Sequence, residues 1–197
     1  MNGVTYSYDY YLRNIYASNR FARKSANRSS LSNIDLMKAD SSALDKISDK
    51  LRELEYSSDN GTTVLNHAKL FVETYNNLLE STHDSDADSV SRLNKQLSSY
   101  TKEQKSALES IGITIGASGK LSLNKTTFAE CNPSKIEKVL GKDSDFTKQI
   151  ASYAKKIKRA AGRLPLPETT TDTESSSTTT IAANTLEGSN TRINVVV

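Results

Sequence analysis

Apolar residues in the middle of the chain recur at alternating intervals of three and four, which is the spacing of one helix face. Three such seams follow one another: Leu44, Ile47, Leu51 and Leu54; Leu65, Ala68, Val72, Tyr75 and Leu79; and Val90, Leu93, Leu97, Tyr100, Gln104, Ala107 and Ile111. Each seam predicts a helix that buries its apolar face against neighbouring helices. Ser42, followed three residues later by Asp45, can cap the start of the first helix. The third helix should be about 33 Å long at a rise of 1.5 Å per residue.

The periodicity changes from three-and-four to two after the third seam. Residues 113–115 and 121–123 alternate apolar and polar side chains, and Ser118-Gly119 between them suits a turn with positive φ. We therefore predict a small β-hairpin near residues 112–123.

Capping residues mark the helices that follow the hairpin. Asn124 can cap one short helix, and Asn132-Pro133 can start another that ends at Gly141. Ser144 begins a last helix, which Gly162 ends. The inward positions of this last helix are Phe146, Ile150, Tyr153 or Ala154, Ile157 and Ala161. The predicted fold is mainly α: a long antiparallel, coiled-coil-like helical bundle with a small β-hairpin and short helices at one end.

The two ends of the chain differ from this domain, which we place at residues 34–163. Residues 1–33 are rich in Tyr, Ser, Asn and Arg, and we expect a loosely ordered basic segment with a short helix near 9–24 that settles against a partner. Residues 164–197 contain Pro165 and Pro167 near their start and continue as a Thr/Ser-rich stretch, which predicts a disordered tail.

Charge is distributed unevenly, although the 197-residue chain has a net charge of only +3. Residues 34–80 carry five basic and nine acidic side chains, whereas residues 142–163 carry seven basic and two acidic ones. A nucleic-acid-binding domain usually has a larger basic excess, so the net charge does not favour nucleic acid as a partner. Cys131 is the single cysteine, which excludes an internal disulfide. We expect no Sec signal peptide, because no apolar region follows a basic start, and no membrane span.

One basic run is the candidate charged partner surface. At helical spacing, a broad outer face of the last helix carries Lys148, Lys155, Lys156, Lys158, Arg159 and Arg163. Three explanations remain open at this point. The charges can favour the helix dipole, contact an acidic neighbouring subunit, or bind nucleic acid or anionic lipid.

The other polar groups are predicted to be structural. His83 to Asp88 resembles the start of a calcium loop, but Ser89 stands where the loop needs Gly and Lys95 where it needs Glu. His67 is predicted to lie at the surface or at an edge, and Cys131 to be a small packing residue. The chain has no GxSxG, Walker, GxGxxG or HExxH motif. We therefore expect no enzymatic activity, no cofactor, no metal and no small-molecule substrate.

Four segments, in order and at matching spacing, resemble a known family. They are Phe-Val-x-x-Tyr-Asn within residues 68–79, Leu-x-x-Ile-Gly-Ile ending at Ile113, the Ser-Gly-Lys-Leu-Ser-Leu hairpin strand with the Phe128 helix behind it, and Pro133 to Leu140. Together they resemble the C-terminal region of the flagellar filament-capping protein, the hook-associated protein 2 family. The resemblance covers about residues 68–160, without the family's insert domains and terminal stalk helices.

The resemblance implies a non-enzymatic structural or assembly protein that acts through subunit packing. Its implied partners are further copies of itself and other flagellar proteins. Its implied location is the bacterial flagellum or the extracellular space, reached by flagellar export without a cleaved signal. The alternative is a cytoplasmic helical adaptor or export-chaperone-like binding module.

Overall fold

The computed structural model describes residues 7–83 and 85–165, and most of these residues are helical. The helices are α1 (Tyr8–Ile15), α2 (Ser25–Arg28), α3 (Asn33–Glu53), α4 (Gly61–His83), α5 (Asp88–Glu103), α6 (Lys105–Glu109), α7 (Lys125–Glu130), α8 (Pro133–Leu140) and α9 (Asp145–Ala161). The strands β1 (Ile113–Ile115) and β2 (Leu121–Leu123) lie between α6 and α7. Residues 1–6 and 166–197, including most of the predicted Thr/Ser-rich tail, lie outside this description.

Three long helices, α3, α4 and α9, form the centre of the fold, and α3 packs extensively against both others. Asp45 of α3 pairs with Lys155 of α9, whereas Lys38, two turns earlier on α3, borders a depression with Lys158 and Gly162 at the C-terminal end of α9. Residue numbers thus rise along α3 as they fall along α9, so the two helices are antiparallel. The mainly α prediction with an antiparallel helical bundle is confirmed.

The seams predicted from the sequence face this core. Leu44, Ile47 and Leu51 of α3 are fully buried, as are Ala68 and Tyr75 of α4. These side chains join one continuous hydrophobic cluster with the hairpin and most inner residues of α9, whereas Ala161 packs in a second cluster with Met37 and Val90. Apolar burial of this kind is the main favourable contribution to the folding of a helical domain.

The predicted caps after the hairpin are also confirmed. The side chain of Asn124 accepts a hydrogen bond from the Thr127 amide at 3.1 Å, and that of Asn132 accepts one from Ser134 at 2.9 Å. Each cap satisfies an amide that the first helical turn leaves without a backbone partner. The short helices α7 and α8 therefore begin where the sequence placed them.

Two helix boundaries differ from the prediction. Helix α3 begins at Asn33, because Ser32 and Asp35 form a capping pair of the kind expected at Ser42 and Asp45. Ser42 instead lies inside the helix and is buried. The third predicted helix is not continuous but is divided into α5 and α6 at Gln104. There the Gln104 amide donates to the Thr101 carbonyl at 3.1 Å in a tight turn.

The predicted β-hairpin is confirmed, with β1 and β2 antiparallel and Ile113 opposite Leu123. Gly119 in its turn has φ +79°, a left-handed conformation that glycine adopts without the steric cost of a Cβ. Gly112, just before β1, has φ +81° and lies against α7, where an added Cβ would meet the Phe128 amide nitrogen at 3.1 Å. Glycine is thus needed at residue 112 for both conformation and space.

The N-terminal segment differs most from expectation. We call its described part before α3, residues 7–31, the N-terminal strap. The strap was predicted to be loosely ordered and outside the domain, but it packs on α3 and α4 and buries Ile15, Tyr16 and Ala22 in the core. Long-range contacts rather than local periodicity order it.

No helix in the described part of the chain is both long and apolar enough to cross a membrane.

Candidate interaction surface

Helix α9 presents the candidate basic surface on a rigid support. Ser144 caps its start by accepting the Thr147 amide, and Gly162 ends it, both as predicted. Its inner side buries Phe146, Ile150, Ala154, Ile157 and Ala161, which fixes the opposite side toward solvent. Ala154 rather than Tyr153 takes the inward position that the sequence left open, since Tyr153 is only partly buried.

The six predicted basic residues are exposed, and the structure brings four of them together. Lys148, Lys155, Lys156 and Arg159 line a shallow groove of about 270 Å³ between α3 and α9. Arg52 of α3 adds a fifth cation, and the nearby Asp49 contributes the groove's carboxylate. We call this feature the α3–α9 basic groove.

The remaining two basic residues lie away from the groove. Lys158 borders a separate depression with Lys38 and Ser42 of α3. Arg163 follows the end of α9 at Gly162. The predicted surface is therefore one cluster of four residues with two flanking residues, not a single uniform face.

Ion pairs divide the groove into neutralised and free cations. Lys155 Nζ lies 3.3 Å from Asp45 Oδ1, and Lys148 Nζ lies 3.7 Å from Asp145 Oδ1. Partial burial raises the pKa of the Asp45 carboxyl. The neighbouring Lys155 ammonium acts in the opposite direction and reduces this rise. Lys156 Nζ lies 5.3 Å from the centre of the Tyr153 ring, a contact that leaves its charge uncompensated.

No carboxylate within residues 7–83 and 85–165 forms an ion pair with Lys156 or Arg159. Neither side chain makes a hydrogen bond to the final carbonyls of α9 in that same part of the chain. Their charges can still favour the helix dipole at a distance. They are nonetheless the free positive charges of the groove.

A buried polar network under the N-terminal strap was missed by the sequence analysis. Arg28 donates to both carboxylate oxygens of Asp40 at 2.8 Å, and Tyr16 Oη donates to Asp40 Oδ1 at 3.0 Å. Asn77 of α4 in turn donates to Tyr16 Oη at 2.9 Å. Asp40 is fully buried, and burial raises the pKa of the Tyr16 hydroxyl, so Tyr16 stays protonated as a donor.

One signal for this network was present in the sequence. Asp40 lies four residues before Leu44 and so extends the first apolar seam by one turn. A carboxylate at a seam position must find a partner when the helix packs, because an unpaired buried charge is very costly. The partner, Arg28, belongs to the segment that we had placed outside the domain.

The prediction for His67 is wrong. Its side chain is only 5% exposed, and Nδ1 lies 2.8 Å from the Thr63 carbonyl one turn earlier. The imidazole packs edge-on against the Tyr11 ring of the strap at 4.5 Å between centres. Burial lowers the pKa of His67, so the neutral ring is favoured. The strap covers a histidine that would otherwise face solvent.

Cys131 lies at the junction of α7 and α8, where it is half-buried and packs against the core. It lines a groove of about 480 Å³ with Tyr56 and Val64 on one side and Pro133 and Ile136 on the other. In the described residues no group of three His, Cys, Asp or Glu side chains could hold a metal ion. Asp84, part of the rejected calcium-like sequence, lies outside those residues.

Comparisons of the chain with protein-family models, with curated proteins and with solved structures find no match.

Proposed function

We propose that the protein is a non-enzymatic structural or assembly protein related to the flagellar filament cap, acting through subunit packing. The support is the set of four segments that resemble the hook-associated protein 2 family. Hydrogen bonds to the backbone join three of these segments, so each of the three helps to hold the others in place.

The contact between Asn76 and Leu121 carries this proposal. The side chain of Asn76 donates to the Leu121 carbonyl at 2.8 Å, and the Leu121 amide donates to Asn76 Oδ1 at 2.7 Å. The asparagine of the Tyr-Asn segment thus pairs with strand β2 as a neighbouring strand would. Two segments that are 45 residues apart depend on each other.

A second link connects the Ile-Gly-Ile segment to the helix behind the hairpin. The Asn124 amide donates to the Gly112 carbonyl at 2.8 Å, and Gly112 leaves the space that the Phe128 backbone occupies. Phe128 itself is 1% exposed. A compact unit of this kind offers a rigid body for packing against other subunits, and its proposed role requires no reacting group.

The proposal is tested directly at filament ends. The full chain, carrying a gold label on an added terminal tag, is mixed with sheared flagella of the cells that produce it and imaged by electron microscopy. Label concentrated at filament ends is expected from a cap-related protein. Filaments without label would reject the cap relationship and favour a cytoplasmic adaptor. Label scattered along their length would reject a role at the filament end.

A further inference from the structure

The α3–α9 basic groove has a surplus of positive charge that the chain does not neutralise. Arg52 is partly compensated by Asp49 at 3.4 Å, and Lys148 and Lys155 each have one carboxylate partner. Lys156 and Arg159 have no such partner within the described residues. The surplus is therefore concentrated in two exposed side chains on the C-terminal half of α9.

The two free cations lie on adjacent turns of one rigid helix. A separation of three residues places them about 4.5 Å apart along the helix axis. Carboxylates separated by three or four residues on a partner helix have the same spacing. An arginine at such a position can also bind one carboxylate through two parallel hydrogen bonds.

We propose that the α3–α9 basic groove binds an acidic helical segment of a partner protein, with Lys156 and Arg159 contacting carboxylates spaced one turn apart. This proposal does not depend on the flagellar one, because an exported subunit and a cytoplasmic adaptor could both use the groove.

Two features of the surface favour an acidic protein segment over a polyanion. A helix that lies in a membrane interface needs a free apolar face, but the apolar face of α9 is buried against α3 and α5. Asp45, Asp49 and Asp145 also stand among the cations and would repel a continuous row of phosphates. A helix with a few carboxylates can meet the free cations and avoid these acids.

The test measures binding of an alanine-rich helical peptide of about 20 residues, long enough to form a helix in water. The peptide carries glutamates at positions i, i+3 and i+7, and a second peptide carries glutamines there. Fluorescence anisotropy gives the affinity of the full-length chain and of two variants. One variant is K156E/R159E, and the control is K102E/K125E, which changes the net charge equally at exposed lysines outside the groove.

We expect the glutamate peptide to bind the wild-type chain and the control, and to lose about tenfold or more in affinity for K156E/R159E. The glutamine peptide should bind none of them. A peptide with lysines at the same three positions should bind K156E/R159E better than the wild-type chain, a charge exchange that loss of folding could not produce. Circular dichroism checks that both variants are helical.

Three results would overturn the proposal. The first is no binding of the glutamate peptide to the wild-type chain at low salt. The second is an equal loss of affinity in both variants, which would indicate a general charge effect. The third is binding of duplex DNA or phosphatidylserine vesicles through Lys156 and Arg159 without binding of the peptide, which would assign the groove to a polyanion.

Discussion

Replacing Asp40 with asparagine should destabilise the protein strongly, although the two side chains have the same shape. Asp40 is fully buried and accepts two hydrogen bonds of 2.8 Å from Arg28 and one of 3.0 Å from Tyr16. Asparagine has one acceptor oxygen and one amide group, so one Arg28 nitrogen would face a donor instead of an acceptor. The buried guanidinium would also lose its counter-charge.

The expected magnitude follows from the burial of both partners. Removing one partner of a buried ion pair costs about 3–5 kcal/mol, because the remaining charge stays buried without compensation. The Arg28 side chain is 15% exposed, so water solvates part of its charge and the lower end of the range applies. We therefore predict a loss of about 3 kcal/mol, equivalent to a fall in melting temperature of about 6–12 °C for a domain of this size.

Urea unfolding followed by circular dichroism measures this loss for D40N and for a matched control, D49N. Asp49 lies on the same helix and pairs with Arg52 at 3.4 Å, with 43% of its side chain exposed. The control should lose less than about 1 kcal/mol, as exposed ion pairs do. Amide hydrogen exchange should rise in the strap of D40N and remain unchanged in that of D49N. Equal stability of D40N and D49N would refute the reasoning.

The other predictions concern the hairpin, the Asn76–Leu121 contact and the buried histidine. Gly112→Ala should lower the free energy of unfolding by about 1–2 kcal/mol or more, because alanine is strained at φ +81° and its Cβ has no space. The control Gly61→Ala, whose Cβ would meet nothing within 4 Å, should lower it by less than about 0.5 kcal/mol, and calorimetry compares the two variants. Asn76→Ala should cost about 1–3 kcal/mol in urea unfolding, because it removes two half-buried hydrogen bonds to the backbone of Leu121. No loss of stability would contradict the structural role given to this contact. Because burial lowers the pKa of His67 below 6.5, the unfolded chain binds more protons there, and the free energy of unfolding should fall from about pH 7 to about pH 5. His67→Gln should reduce this slope in urea unfolding, and an unchanged slope would contradict the assignment.

The helical core could be predicted because its signal is local. A seam such as Leu44, Ile47 and Leu51 reports one helix face without knowledge of what covers it. The choice between two equivalent start signals is not local. Ser32 with Asp35 and Ser42 with Asp45 fit the same capping pattern, and packing of Met37 and Ala39 against the rest of the fold selects the earlier one.

The strap and its network could not be predicted by periodicity, because their contacts join distant parts of the chain. Tyr16 meets Asp40 across 24 residues and Asn77 across 61 residues. A polar, tyrosine-rich sequence resembles a disordered segment unless its partners are known. Asp40 at a core position was the available sign that a cation from outside the seam would approach this helix.

The basic groove was predicted in part. Helical spacing indicated a charged face on α9, and the structure places Lys148, Lys155, Lys156 and Arg159 in one groove. Spacing alone could not separate free from neutralised charges, since the partner of Lys155 is Asp45 on another helix. The contribution of Arg52 likewise depends on the antiparallel packing of α3 and α9.

The proposal of a filament-associated protein is tested most directly by locating the chain in the cells that produce it. An immunoblot compares sheared flagella, culture medium and cell lysate from wild-type cells and from a strain in which flagellar export is disabled. We expect the chain in the flagellar fraction or the medium of wild-type cells and its loss from both in the export-deficient strain. Retention in the lysate of both strains, with none in the flagellar fraction or the medium, would contradict it.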